Sequence, residues 1–185
     1  MVNPINLSTV EDSQLLALIA EKRDKQALAE LYDRYRHTLG GFLRRKLYQD
    51  KLVDEVYNDV MMTLWQKADT FRGDSKVSTW IFGIAYRTCL SHARKETKHT
   101  SNSADYELEE MAEDGESGLV ESLRAAMTEL SDDHRVVVEM AYFYGHSLTE
   151  ISSMIDCPVN TVKTRLFHAR KKLKTIIQIE QELAS

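Results

Sequence analysis

The apolar residues Val53, Val56, Tyr57, Val60, Met61, Leu64 and Trp65 recur at spacings of three and four, the period of a helix with one buried stripe. Asp54, Glu55, Asn58, Asp59 and Thr63 fall largely off that stripe. The same rhythm returns along the chain. Leu15, Leu16, Leu18 and Ile19 predict a short helix, and Leu28, Leu31, Tyr32, Tyr35, Leu39, Phe42 and Leu43 predict a longer one. That second helix runs through Gly40 and Gly41, where a kink is expected. After a loop at Phe71–Ser75, the residues Trp80, Ile81, Ile84, Ala85 and Thr88 predict a fourth. Only two prolines and seven glycines punctuate the 185 residues. Strand-rich folds need more turn residues than this, so the expected class is all-α.

The net charge of -5 conceals a strong segregation. Residues 1–99 carry 16 basic and 13 acidic side chains, residues 100–123 none and 8, and residues 124–185 8 of each. The stretch 100–118 is polar, acidic and poor in aromatics, which predicts a flexible linker between a first domain at 1–99 and a second at 119–185. Within 157–179 stand Lys163, Arg165, Arg170, Lys171, Lys172 and Lys174 with no carboxylate among them, the footprint of an element that meets phosphates. A second basic cluster is Arg87, Arg94, Lys95 and Lys98.

In the second domain Leu119, Val120, Leu123 and Met127 predict one helix. Ser131, followed by Asp132 and Asp133, is placed to cap another that carries Val137, Met140, Ala141 and Tyr144 and stops at Gly145. Ser147 and Glu150 have the spacing of a capping box ahead of Ile151, Met154 and Ile155. Asp156-Cys157-Pro158 then reads as a turn, and Asn160 as the cap of a helix from Thr161 to about Ile177. A short helix, a turn and a longer basic helix make a helix-turn-helix, whose second helix enters the DNA major groove. Val162, Leu166 and Ala169 supply its inward side, leaving Lys163, Thr164, Phe167, His168 and Lys171 opposite and Arg165 and Arg170 on the flanks.

These residues resemble a known family. SLTEISSMIDCPVNTVKTRLFHARKKL, from Ser147 to Leu173, is similar to the fourth conserved region of bacterial RNA polymerase sigma factors, specifically the small extracytoplasmic-function group of the sigma-70 family. DEVYNDVMMTLW, from Asp54 to Trp65, resembles that family's polymerase-binding helix, and Phe71–Ser75 with Thr79-Trp80-Ile81 resembles its promoter-melting segment. The resemblance implies a two-domain, all-helical initiation factor that recruits core RNA polymerase, through its beta-prime and beta subunits, to promoter DNA. The first domain would handle the -10 element and the second the -35 element.

By the same resemblance, Asp54, Glu55 and Asp59 would meet the basic coiled coil of the beta-prime subunit, with Leu64 and Trp65 supporting their helix from behind. Thr79, Trp80, Tyr86 and Arg87 would lie at a flipped base of the -10 element, and Arg94, Lys95 and Lys98 at phosphates. At the -35 element, Lys163, Thr164 and His168 would read bases, Arg165 and Arg170 would stand near the backbone, and Phe167 and Lys171 would share the DNA face. Arg87 stands where a small polar residue can sit, and His168 replaces an arginine found in some similar proteins. The acidic linker matches the family's connector, thought to thread toward the active-site and RNA-exit channels. An anti-sigma factor that masks these surfaces is an expected partner, and the free protein is expected to be monomeric.

Other classes fit less well. Cys89 and Cys157 are far apart, so no disulfide framework or four-cysteine zinc site is expected, and Cys89 with His92 forms a C-x-x-H that has no second pair nearby. A metal-pair enzyme would require Glu-x-x-His repeated on two helices, and it is not repeated here. Neither G-x-x-x-x-G-K nor G-x-S-x-G occurs, so no catalysis, cofactor or metal is expected. No apolar run reaches the roughly 20 residues of a membrane span, and the opening Met-Val-Asn-Pro lacks signal-peptide features, so a cytoplasmic protein without membrane insertion is expected. The rival reading, a free-standing helix-turn-helix regulator, would leave the acidic helix and the first basic cluster without a task.

Overall fold

The computed structural model describes residues 7–47, 50–97 and 118–183. The chain divides into two compact units, 1–104 and 105–185, and every element described is helical.

The first unit contains α1 (Asp12–Lys22), α2 (Lys25–Lys46), α3 (Asp50–Lys67) and α4 (Val77–Thr97), with single 3-10 turns at Leu7–Thr9 and Ala68–Thr70. Between α1 and α2 the chain reverses on Arg23, whose φ of 51° is left-handed. Asp24 then opens α2, its side chain accepting hydrogen bonds from the Gln26 and Ala27 amides at 2.8 and 3.1 Å. That capping satisfies two of the donors a helix start leaves free. α2 continues through Gly40 and Gly41 without a break in helical structure, and Gly40 is buried.

The α2 stripe (Leu31, Leu39, Phe42, Leu43) packs with Leu15, Leu16 and Ile19 of α1, Val56, Val60 and Leu64 of α3, and Ile81 and Ala85 of α4, all fully buried. Phe42 meets Phe82 edge-on at 5.5 Å between ring centroids. One arginine ties the amino-terminal turn to this core: Arg34 donates to the Leu7, Ser8 and Val10 carbonyls at 2.8–3.0 Å and to Asp12 at 2.7 Å. Asp12 also accepts from the Tyr35 hydroxyl at 2.6 Å.

The second unit contains α5 (Gly118–Thr128), α6 (Asp132–Val138), α7 (Leu148–Ile155) and α8 (Val159–Leu183). α8 packs against the other three. Its Ala169 and Leu173 join Ala126, Met127, Leu130 and Val138 in one cluster, and its Val162 is buried, as are Ile151 and Met154 of α7.

Three local expectations are corrected. Ser131 stands at the cap of α6, but its side chain makes no cap hydrogen bond; the helix opens on the Ser131 carbonyl, which accepts from the His134 and Arg135 amides. Beyond Val138 the helix widens into a π segment, Glu139–Phe143, and ends at Gly145, whose φ is +66°. The His146 amide donates to the Met140 carbonyl at 2.9 Å. α8 begins at Val159 rather than Thr161, because the Pro158 carbonyl accepts from the Thr161 and Val162 amides at 2.8 and 3.1 Å. Asn160 therefore lies inside the first turn and caps nothing. The linker expected at 100–118 lies outside the described residues except for Gly118, where α5 starts.

Candidate nucleic-acid and polymerase interfaces

On α3 the helical period turns Val56, Val60 and Leu64 inward and leaves Asp54, Glu55 and Asp59 exposed along one ridge. Carboxylates there keep their hydration and remain available to a basic partner. Asp59 is partly engaged, its Oδ2 lying 3.1 Å from Nε2 of His92 on α4. Glu55, Asp59 and His92 bring one oxygen or nitrogen each within 4.8 Å of one another, a spacing a divalent cation can bridge; Glu55 and Asp59 are solvent-exposed. Leu64 is buried, and Trp65 is half-buried beneath Arg23, whose guanidinium sits 5.9 Å from the ring centroid and donates to the Trp65 carbonyl. Leu64 lies opposite the ridge in the core, and Trp65 lies at the edge between core and surface.

Between α3, the Ala68–Thr70 turn and α4 runs a groove of about 680 Å³. Asp59, Trp80, Arg87 and His92 all border it, with Met62 and Lys67 on the α3 side. Trp80 is held by Phe71, 5.5 Å away between ring centroids, and keeps part of its surface in the groove. Arg87 is exposed, and Tyr86 is half-buried. An aromatic face beside a guanidinium suits an unstacked base and its phosphate.

Thr79 departs from its expected place. At 2 % exposure it is buried in the first turn of α4 and offers almost no surface to a base. Arg94 is exposed on α4; the Lys95 side chain and Lys98 lie outside the described residues.

On α8 the expected DNA residues divide between two flanks. Thr164, Arg165 and His168 border a depression of about 330 Å³, together with Asn160, Thr161 and His134 of α6. Phe167, Arg170 and Lys171 border a larger groove of about 770 Å³, walled by Leu123, Val138, Tyr142 and Phe143. Lys163 is exposed and borders neither. The Arg165 Nη2 donates to the Asp133 carboxylate, an exposed ion pair at the flank where a backbone contact is expected.

The sequence pattern missed the apolar groove. Tyr142 and Phe143, in the π segment, are 60 % and 53 % exposed and stand off the stripe on which Val137 and Met140 are buried. Consecutive aromatics just before a glycine were the available signal. His134 and Asn160 were not among the expected DNA residues, and they share the wall of the smaller depression because α6 packs against α8.

Comparison with known proteins agrees with this division. The family model for sigma-70 region 2 matches residues 31–99, and that for sigma-70 region 4 matches residues 120–173. The RNA polymerase sigma-H factor of Pseudomonas aeruginosa is 25% identical over 185 aligned residues, covering 92% of this chain and 96% of that protein. The ECF RNA polymerase sigma-E factor of Escherichia coli is 29% identical over 182, covering 89% and 94%. In fold, the chain is similar to the sigma factor RpoE of Bartonella quintana, solved in complex with the anti-sigma factor NepR, with a TM-score of 0.69, 21% identity and coverage of 84% and 96%. Matched in both conserved regions, in order, and over nearly its whole length by such relatives, the chain belongs to the sigma-70 family, in its extracytoplasmic-function group.

Proposed function

We infer that this protein is a promoter-specificity factor: it binds core RNA polymerase and directs transcription initiation by recognising the -10 and -35 elements and assisting promoter melting. It is not an enzyme. The observation that carries the reading is the pairing in one chain of an exposed carboxylate ridge beside an aromatic and basic groove with a separate helix-turn-helix unit. A free-standing regulator would need only the second.

Asp54, Glu55 and Asp59 are the proposed contact to the beta-prime coiled coil, where complementary charge sets encounter rate and orientation. Trp80 and Arg87 receive the unpaired -10 base, with Tyr86 beside them and Arg94 at phosphates. Lys163, Thr164 and His168 face -35 bases. The apolar groove of the second unit, with Arg170, Lys171 and Lys174 at its edge, suits a protein partner such as the beta subunit or an anti-sigma helix. Among the described residues no helix is long and apolar enough to cross a membrane. Working on promoter DNA with core polymerase places the protein in the cytoplasm.

Reversing all three carboxylates (Asp54→Lys, Glu55→Lys, Asp59→Lys) tests the ridge. Exposed substitutions of this kind shift folding stability by only about 0.5 kcal/mol each, so helicity and melting temperature should be nearly retained. Affinity for core polymerase should fall at least about tenfold, mainly through slower association, because three attractive charges become repulsive. Normal affinity in the folded variant would remove the assignment.

A further inference from the structure

The DNA-reading face of α8 extends past the residues that sequence spacing supplies. Asn160 is exposed in the first turn. Its carbonyl accepts a hydrogen bond from the Thr164 hydroxyl at 2.9 Å, while its side-chain amide makes none among the described residues. Folding does not account for an asparagine here. It is a poor helix former, and the capping that would explain it is performed by the Pro158 carbonyl.

Beside it, His134 of α6 projects toward the same face. Its ring centroid lies 6.5 Å from that of His168, and both rings border the depression of about 330 Å³ that also takes in Asn160, Thr164 and Arg165. Asp133, next to His134 in the chain, is engaged by Arg165, so its charge is partly neutralised where a polyanion would approach.

We propose that Asn160 reads an adenine of the -35 element and that His134 contacts the adjoining phosphate, an assignment that rests on the second unit being the -35 reader. The amino-terminal residues of a recognition helix reach base edges first. An asparagine amide offers one acceptor and two donors, the complement of the N6 donor and N7 acceptor that adenine presents in the major groove. The His134 imidazole offers a ring N–H at the shoulder of the depression, where the backbone passes.

The test is run-off transcription with the full chain, core polymerase and promoters randomised through the -35 element. Wild-type protein is read first: transcription without any -35 dependence would overturn the underlying reading and the proposal with it. With that dependence present, Asn160→Ala should abolish an adenine preference at one -35 position. Use of adenine-bearing promoters should fall about 5- to 10-fold, near the lower end for one bidentate contact, with other promoters unchanged. An unaltered preference in a variant of normal melting temperature overturns base reading by Asn160, and so does equal loss on every sequence. His134→Ala should lower -35-dependent initiation evenly across sequences, with His134→Gln, which keeps an N–H donor, restoring it. No loss in His134→Ala, or a loss that His134→Gln fails to restore, overturns the phosphate contact.

Discussion

Burial decides the chemistry of Cys89. Enclosure within α4 pushes its thiol up to about 12, with Lys46 pulling weakly the other way. At neutral pH it is a protonated apolar side chain. Cys157, in the turn before α8, is half-buried. An aromatic disulfide reagent at pH 7.5 should therefore label one thiol in the folded protein, Cys157, and both after denaturation; rapid labelling of Cys89 in the folded chain would contradict its placement. The Tyr35 and Tyr57 hydroxyls are likewise raised, by burial first and by nearby acidic or phenolic groups second. All three groups bind their protons more tightly folded than unfolded, so their contribution is complete at neutral pH and is lost as pH climbs above about 9 for the thiol and above about 10 for the two hydroxyls. At this scale the sequence was legible wherever a residue stood clearly on or off a stripe, as Asp54 and Leu64 do. It was illegible for Thr79 and Trp80, adjacent residues at a stripe's edge, where only tertiary packing determines that the threonine is enclosed and the tryptophan reaches the groove.

α7 is an eight-residue helix, too short to be stable without tertiary help and dependent on its start. The Ser147 hydroxyl accepts from the Glu150 amide at 3.3 Å, and the Ser147 amide donates to the Glu150 carboxylate at 2.8 Å. Ser147→Ala should cost the second unit about 1 kcal/mol, the usual value of a helix cap. Chemical denaturation followed through the second unit measures it, and a change below about 0.3 kcal/mol would show that packing alone holds α7. This box was readable because its signal is four residues long and local. The true start of α8 was not, because a backbone carbonyl, available in any residue, took the place of the Asn160 side chain. The π segment was hidden because Val137, Met140 and Ala141 satisfy a regular period, and only the backbone hydrogen bonding, with the Tyr144 amide donating to the Glu139 carbonyl at 3.3 Å, shows the added residue.

At the scale of the whole molecule, the charged surfaces are divided between two units. The acidic ridge adjoins the aromatic and basic groove through Asp59 in the first unit, the basic recognition helix belongs to the second, and the overall charge of -5 says nothing of this arrangement. The division into two helical units was legible because composition changes abruptly near residue 100 and the helical period holds on either side. The apolar groove of the second unit was not, since it is assembled from α5, the π segment and α8. Each part is accounted for if both units act on one promoter while attached to one polymerase. Run-off transcription with polymerase core lacking any other specificity factor, and a library of promoter fragments, tests that directly. The account predicts transcripts from discrete starts that share a -10 and a -35 sequence, and only when this protein is added. Duplex binding by the protein alone, with no start sites from folded protein and active core enzyme, would contradict it.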